Sequence, residues 1–441
     1  MHTVTVGAPG TVSTAPPLDI SLLHGWFSPA FEALAVFALV VALGRRSDDG
    51  RHWFWIPMAV SVGGAVCAGA WFWLDTQGWM PETAPVTFWF FAGALAAGLL
   101  LAVVGWRSAR WWRRTLTVVA LPLVAIGVAL AADQWSGYYT SVDRAWDGLT
   151  AGPLPHQTSP AKLVAFQGTN TPTGVIVPIA VPANRSHFRH RTEYVYLPPA
   201  WFHTPRPTAL PAVIMIGGVV TTPEDWVRSG NAAATADRYA SAHGGVAPIM
   251  VLIDPTGSLT NDTECVDGPR GNVDTHVVDE VRPYVISHFG ASPFARHWGV
   301  VGWSMGGTCA VDLAVRHPDM FGAFADISGD LVPNAGDHAG SVRALFGGNS
   351  AALDRFDPTT VMVRHGNYDG RLNGWFQSEG RWADSPRGGS TPQIRAAHSL
   401  STTAARVGIR TVFRGTPGGH SWAYGANAFV DVLPWLMSAL R

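Results

Sequence analysis

Four apolar runs fill most of the first 135 residues, at 29–44, 53–74, 86–106 and 116–132, and they restrict the fold more than any other feature of the chain. Each is close to the ~20 residues that carry a helix across a bilayer core. The first is the shortest and holds Glu32 near its start. No basic stretch precedes it and three further runs follow, so it reads as a fourth span rather than a signal-peptide core. Tryptophans crowd the ends of the runs (Trp26, Trp53, Trp55, Trp71, Trp73, Trp79, Trp106, Trp111, Trp112), where an amphipathic ring gains from headgroup depth. The expectation is a bundle of about four transmembrane helices over residues 1–135, serving chiefly as an anchor because no paired charges lie within the runs.

The turns between the runs give an orientation. Arg45, Arg46 and Arg51 follow the first run, and Arg107, Arg110, Arg113 and Arg114 follow the third, whereas the turn at 75–84 and the N-terminal segment carry no basic residue. Positive residues near span ends stay in the cytoplasm. With an even number of spans, everything after Trp135 is then extracytoplasmic.

Composition removes other classes. The formal net charge is −1, and the 30 basic residues are scattered, so the chain lacks the basic face of a nucleic-acid binder. Cys67, Cys265 and Cys309 form no spacing suited to a structural zinc site, and neither a metal nor another cofactor is expected. Nothing in the sequence points to a protein partner.

Residues 136–167 mix Ser, Thr, Pro and Gly without sustained periodicity and read as a linker near the membrane surface. From 168 to 441 the texture changes. Short β-branched runs at 192–197, 212–216, 249–253, 298–302, 323–328, 360–365 and 410–414 alternate with helical stretches at 273–288, 305–316, 391–407 and 423–440. That alternation predicts an α/β domain with a mainly parallel sheet covered on both faces.

Gly302-Trp303-Ser304-Met305-Gly306 stands between a predicted strand and a predicted helix. This is the setting of a nucleophile elbow, in which a serine sits on a strained turn that only flanking glycines allow. A serine nucleophile needs a base. His420, in Gly418-Gly419-His420-Ser421-Trp422 just past the last strand, is the last histidine in the chain and fits the order Ser, acid, His. The acid should follow the preceding strand, and with 360–365 as that strand, Asp369 is the choice. Glu379 is the main competitor, and Asp326 and Asp330 are weaker ones. Two backbone N–H groups should face the developing oxyanion: that of Met305, and one from the Gly217-Gly218-Val219 turn, with Val219 first and Gly218 next.

The wording of these motifs, with Val195-Tyr196-Leu197-Pro198, Gly217-Gly218-Val219, Gly302-Trp303-Ser304-Met305-Gly306 and His420-Ser421-Trp422, resembles the esterase D-like α/β-hydrolases, a group that includes the mycobacterial mycolyltransferases. The resemblance covers about 165–441 and implies an α/β-hydrolase fold with Ser304 and His420 in the reaction. The mycolyltransferases carry a glutamate acid past the strand, which keeps Glu379 in play; the wider group favours Asp369. Outside the cytoplasm Cys265 and Cys309 could bridge. The expected activity is that of a membrane-anchored serine esterase acting on carboxylic esters. The alternatives are an acyltransferase acting on cell-envelope glycans or lipids, and a non-catalytic membrane scaffold or sensor.

Overall fold

In a computed structural model, residues 20–43, 52–76, 84–107, 109–150, 152–203, 209–382 and 390–441 are described. The apolar runs are helices: α1 (Phe27–Leu43), α2 (His52–Thr76), α3 (Val86–Gly105) and α4 (Trp111–Ser136). Three helical stretches, Trp55–Thr76, Val86–Gly105 and Trp111–Ser136, are long and apolar enough to cross a membrane. About four spans were expected; α1 is a fourth apolar helix, 17 residues long as far as Leu43, where the described residues stop. It lies along α4, with Ala35, Ala38 and Ala42 facing Ala120 and Val124; such small side chains let two backbones approach closely. The outward faces carry Phe37, Val60, Phe72, Phe90, Val103 and Val119, all exposed, as lipid-facing positions should be. The arginines of the first turn lie outside the described residues. Those of the third turn lie between α3 and α4 or in the first turn of α4, at the end of that helix opposite Gly137.

The stretch expected as a linker is more ordered than its composition suggests. Helix α5 (Val142–Thr150) follows α4, and Ser21 pairs with Ser141, tying the start of α1 to the end of α4. Farther on, Leu154 is buried, and Gln157 bridges to Ile176 at the sheet edge.

The strands are β1 (Val175–Ile179), β2 (Glu193–Leu197), β3 (Ala212–Ile216), β4 (Ile249–Leu252), β5 (Trp298–Trp303), β6 (Ala323–Ile327), β7 (Asn373–Glu379) and β8 (Arg410–Thr416). They form one sheet in the order β1-β2-β4-β3-β5-β6-β7-β8. Pairings β1–β2 and β2–β4 are antiparallel and the remainder parallel. Every residue of β2, β3, β5 and β6 is buried, which is why β3 and β5 read as continuous apolar runs rather than alternations, while β2 and β6 also carry the buried carboxylates Glu193 and Asp326. Helices cover both faces. α6 (Ala232–Ala242) and α10 (Trp422–Ala439) pack on one side; the helical run 273–289, α7 (Met305–Arg316) and α9 (Pro392–Arg406) pack on the other.

One predicted strand is a helix. Residues 360–365 belong to α8 (Pro358–His365), where the Asp357 side chain accepts the Thr359 N–H at 3.0 Å and Pro358 takes the first turn. Its β-branched residues do not fill a sheet, since Val363 faces solvent while Met362 is buried. The strand of this region is β7. Its last three residues, Gln377, Ser378 and Glu379, are polar yet buried, so neither apolar content nor alternation marks it. The edge strand β1 was likewise not anticipated. Residues 383–389, shortly after this strand, lie outside the described residues.

Candidate active site

At the end of β5 the chain turns into α7 through Ser304, whose φ of 59° and ψ of −128° lie outside the usual regions for a residue with a side chain. The flanking glycines permit the turn. A Cβ on Gly302 would stand 1.6 Å from the Gly306 carbonyl oxygen, and one on Gly306 would stand 2.2 Å from that of Ile216. The Ser304 N–H donates to Ile327 O at 2.9 Å, fixing the elbow to β6. Its hydroxyl therefore stands at the C-terminal edge of the sheet and at the N-terminus of α7, where the helix dipole favours negative charge.

His420 comes from the loop between β8 and α10. Ser421 caps α10 by accepting the Tyr424 N–H, and the imidazole lies along the Trp303 ring with centroids 5.3 Å apart. His420 Nε2 is 2.9 Å from Ser304 Oγ, and Nδ1 is 2.9 Å from Glu379 Oε1. Glu379 ends β7 at the same edge of the sheet. Its other oxygen accepts hydrogen bonds from Ser328 and Ser378. Burial alone would push its pKa up, but the hydrogen bond and charge of His420, together with Ser328, outweigh burial and hold it below the usual glutamate range.

Asp369 stands elsewhere. It occupies a left-handed turn (φ 54°) before β7 begins and pairs with Arg371 at 3.0 Å, both side chains largely exposed. The seven residues of β7 separate it from Glu379 by roughly 20 Å, on the opposite edge of the sheet from Ser304. The expectation of Asp369 rested on 360–365 as a strand; the strand of this region is β7, and the carboxylate it brings to His420 is that of Glu379, the competitor, at the other end. Asp326 is fully buried, with Oδ1 accepting the Gly329 N–H at 2.8 Å, and burial pushes its pKa up to about 7. Asp330 bonds Asn334 and Gln393. Neither bonds His420. His365 is in α8 and His398 in α9, stacked on Trp382.

The turn after β3 closes on the nucleophile. A Cβ on Gly218 would be 3.1 Å from that of Ser304. Thr221 Oγ1 donates to Gly218 O at 2.7 Å, and Val220 takes a positive φ of 60°. Among the described residues, neither the Met305 nor the Val219 backbone N–H donates to a protein group, so both are free to meet an oxyanion. Beyond the turn the chain enters a short helix at Asp225–Arg228.

A disulfide joins Cys265, in the loop after β4, to Cys309 on α7, and both are fully buried. Cys67 in α2 is a free thiol. The fold also gathers His190, Glu193 and His276, with potential donor atoms within 4.8 Å of one another. The histidine nitrogens have hydrogen-bond partners, while Glu193 Oε2 is buried without one. His276 reaches Glu193 at 3.3 Å and Glu280 at 2.7 Å, and the two His190 nitrogens face the carbonyls of Arg191 and Val181. The cluster joins β2 to the run 273–289.

The Esterase family model matches residues 186–436. The chain is 27% identical over 425 residues to an uncharacterized protein of Corynebacterium glutamicum, covering 95% of this chain and 97% of that one. It is 29% identical over 127 residues to the MPT51 antigen of Mycobacterium leprae, covering 28% of this chain and 39% of that one. Among solved structures it is similar to a ferulic acid esterase (18% identity, TM-score 0.49, 61% of this chain and 99% of the other). Another is an S-formylglutathione hydrolase of Agrobacterium tumefaciens (16%, TM-score 0.48, 62% and 98%). With more than half of its length matched, and with a strand-elbow-helix bearing a serine at the C-terminal edge of a mainly parallel sheet, the chain belongs to the Esterase family and is an α/β-hydrolase enzyme of ester cleavage or acyl transfer.

Proposed function

We propose that the protein is a membrane-anchored serine esterase whose catalytic residues are Ser304, His420 and Glu379, with the Met305 and Val219 N–H groups as oxyanion donors. The continuous hydrogen-bond relay from Ser304 Oγ through the imidazole to Glu379 carries this reading. Glu379, held as an anion, accepts the Nδ1–H and keeps Nε2 free to take the hydroxyl proton. As that proton moves to Nε2, Oγ bonds to the ester carbonyl carbon and the carbonyl oxygen becomes an oxyanion facing the two N–H groups. The ester C–O bond then breaks, the Nε2 proton passes to the departing alkoxide, and an acyl-enzyme remains. Water, deprotonated by His420, repeats the attack and releases acid and Ser304. An alcohol in place of water makes the same machinery an acyltransferase, a role in keeping with the membrane helices beside it.

The hydrolase domain is assigned to the extracytoplasmic side. The arginines at 107–114 occupy the far end of the bundle, where basic residues are retained in the cytoplasm, and the buried Cys265–Cys309 disulfide suits an oxidising compartment. The test is turnover of short p-nitrophenyl esters by the full-length protein and its Ser304→Ala and His420→Ala variants, with and without an added alcohol. Turnover lost in both folded variants supports the reading. A folded wild-type protein inert to every activated ester would leave the scaffold or sensor reading in its place.

A further inference from the structure

The three loops that surround Ser304 are each held against the end of the helical bundle. On the first side, Gly137 caps α4 with φ 58°, and a Cβ there would lie 2.2 Å from the Ser421 Cβ; Ser421 follows His420 directly. On the second, the Tyr138 phenol donates to Asp225, which also receives the Thr222 N–H and hydroxyl just past the Gly218–Val219 turn. Arg144 of α5 adds a bond to Arg228 O at 3.1 Å. On the third, Asp330 follows β6 within electrostatic reach of His420 and Glu379, Leu331 is next in sequence and exposed, and a few residues on, Gly336 packs on the Asp75 carbonyl at the end of α2, 3.0 Å from where its Cβ would be.

Ser304 Oγ, 2.9 Å from His420 Nε2, is thus on the order of 10–15 Å from the end of α4 along this path. A headgroup layer is itself roughly 5–7 Å deep. Partly exposed apolar side chains stand on the same loops, Val220 beside the oxyanion turn and Leu331 beside Asp330. Trp146 and Leu149, three residues apart on α5, are exposed as well, giving that helix an apolar face just beyond the last span, as interfacial helices have.

We propose that Ser304 takes its ester from the bilayer: an amphiphile of the adjacent leaflet reaches the nucleophile along the seam between the hydrolase loops and the ends of α2 and α4. This rests on the serine-hydrolase reading above. Glu379, His420 and Ser304 carry the chemistry. The membrane ends of α2 and α4 bring the carbonyl of a lipid ester to them, while its chains remain in hydrocarbon. Leu331 lines the route and takes no part in the bond changes.

The experiment uses the full-length protein in phosphatidylcholine vesicles and two covalent probes, a short water-soluble fluorophosphonate and a fluorophosphonate carried on a double-chain lipid. The lipid probe is placed either in the protein's own vesicles or in separate ones. Confinement to one membrane should make labelling at Ser304 at least about tenfold faster than from separate vesicles at equal total probe, and the rate should follow the probe's mole fraction in the bilayer. Leu331→Asp should slow lipid-probe labelling by roughly tenfold and leave short-probe labelling within about twofold. Equal rates from the same and separate vesicles would overturn the proposal, as would labelling by the short probe alone or a Leu331→Asp variant indifferent to the lipid probe. If the short probe does not label Ser304, the underlying serine-hydrolase reading fails instead.

Discussion

Glu379 reaches His420 from the last position of β7, its Oε1 2.9 Å from Nδ1, while the second carboxylate oxygen is held by Ser328. A glutamate at a strand end is long enough to meet the imidazole without leaving the sheet. The Ser328 and Ser378 contacts leave it little freedom to turn elsewhere.

Replacing this carboxylate should therefore disable the relay while preserving the fold. Glu379→Gln offers an amide to Nδ1, favours the wrong tautomer, and should lower kcat by about 10³–10⁴. Asp369→Asn, on its exposed turn with Arg371, should stay within about twofold of wild type. Steady-state turnover of a p-nitrophenyl ester checks both, and a reversed outcome would restore Asp369.

This pair also shows how much of the site was legible. The elbow was readable because Gly302 and Gly306 are demanded by backbone contacts that any sequence must satisfy there. His420 was readable from chain order. Which carboxylate meets His420 was left between Asp369 and Glu379, because β7 ends in residues buried through hydrogen bonds rather than apolar character, and α8 has the β-branched look of a strand. In the membrane region, apolar length located the helices; it could not show that the end of α4 packs against the loop bearing His420.

The elbow glycines should tolerate no side chain. Gly306→Ala would drive a methyl group into the Ile216 carbonyl, and a cost of at least about 3 kcal/mol is expected, with most activity lost. Urea unfolding monitored by tryptophan fluorescence would measure it. A variant as stable and active as wild type would contradict the packing described.

The disulfide closes a sequence separation of 44 residues, for which loop-closure entropy gives about 4 kcal/mol. The Cys265→Ala/Cys309→Ala double variant should lose about 2–5 kcal/mol of stability, and a reductant that lowers the wild-type Tm should leave the variant unmoved. Reductant-insensitive wild-type melting would count against the bridge as a stabilising link.

Asp326 sets a pH dependence of stability. Its pKa is raised by burial from 3.8 to about 7 in the folded protein, so the folded state binds the extra proton between those values. Stability from this group is full below about pH 4, falls as pH rises, and levels off above about pH 7. Asp326→Asn removes that slope. Denaturant midpoints at pH 5 and pH 8 should converge more closely for the variant than for wild type; parallel shifts in the two proteins would refute the assignment.

The central claim is tested most directly by measuring the rate at which a short fluorophosphonate modifies the full-length protein and mapping the adduct by mass spectrometry. A single adduct on Ser304 is predicted, absent in Ser304→Ala and slowed by at least about a hundredfold in His420→Ala and Glu379→Gln. An adduct on another residue, or labelling of Ser304 that is indifferent to His420 and Glu379, would contradict the account.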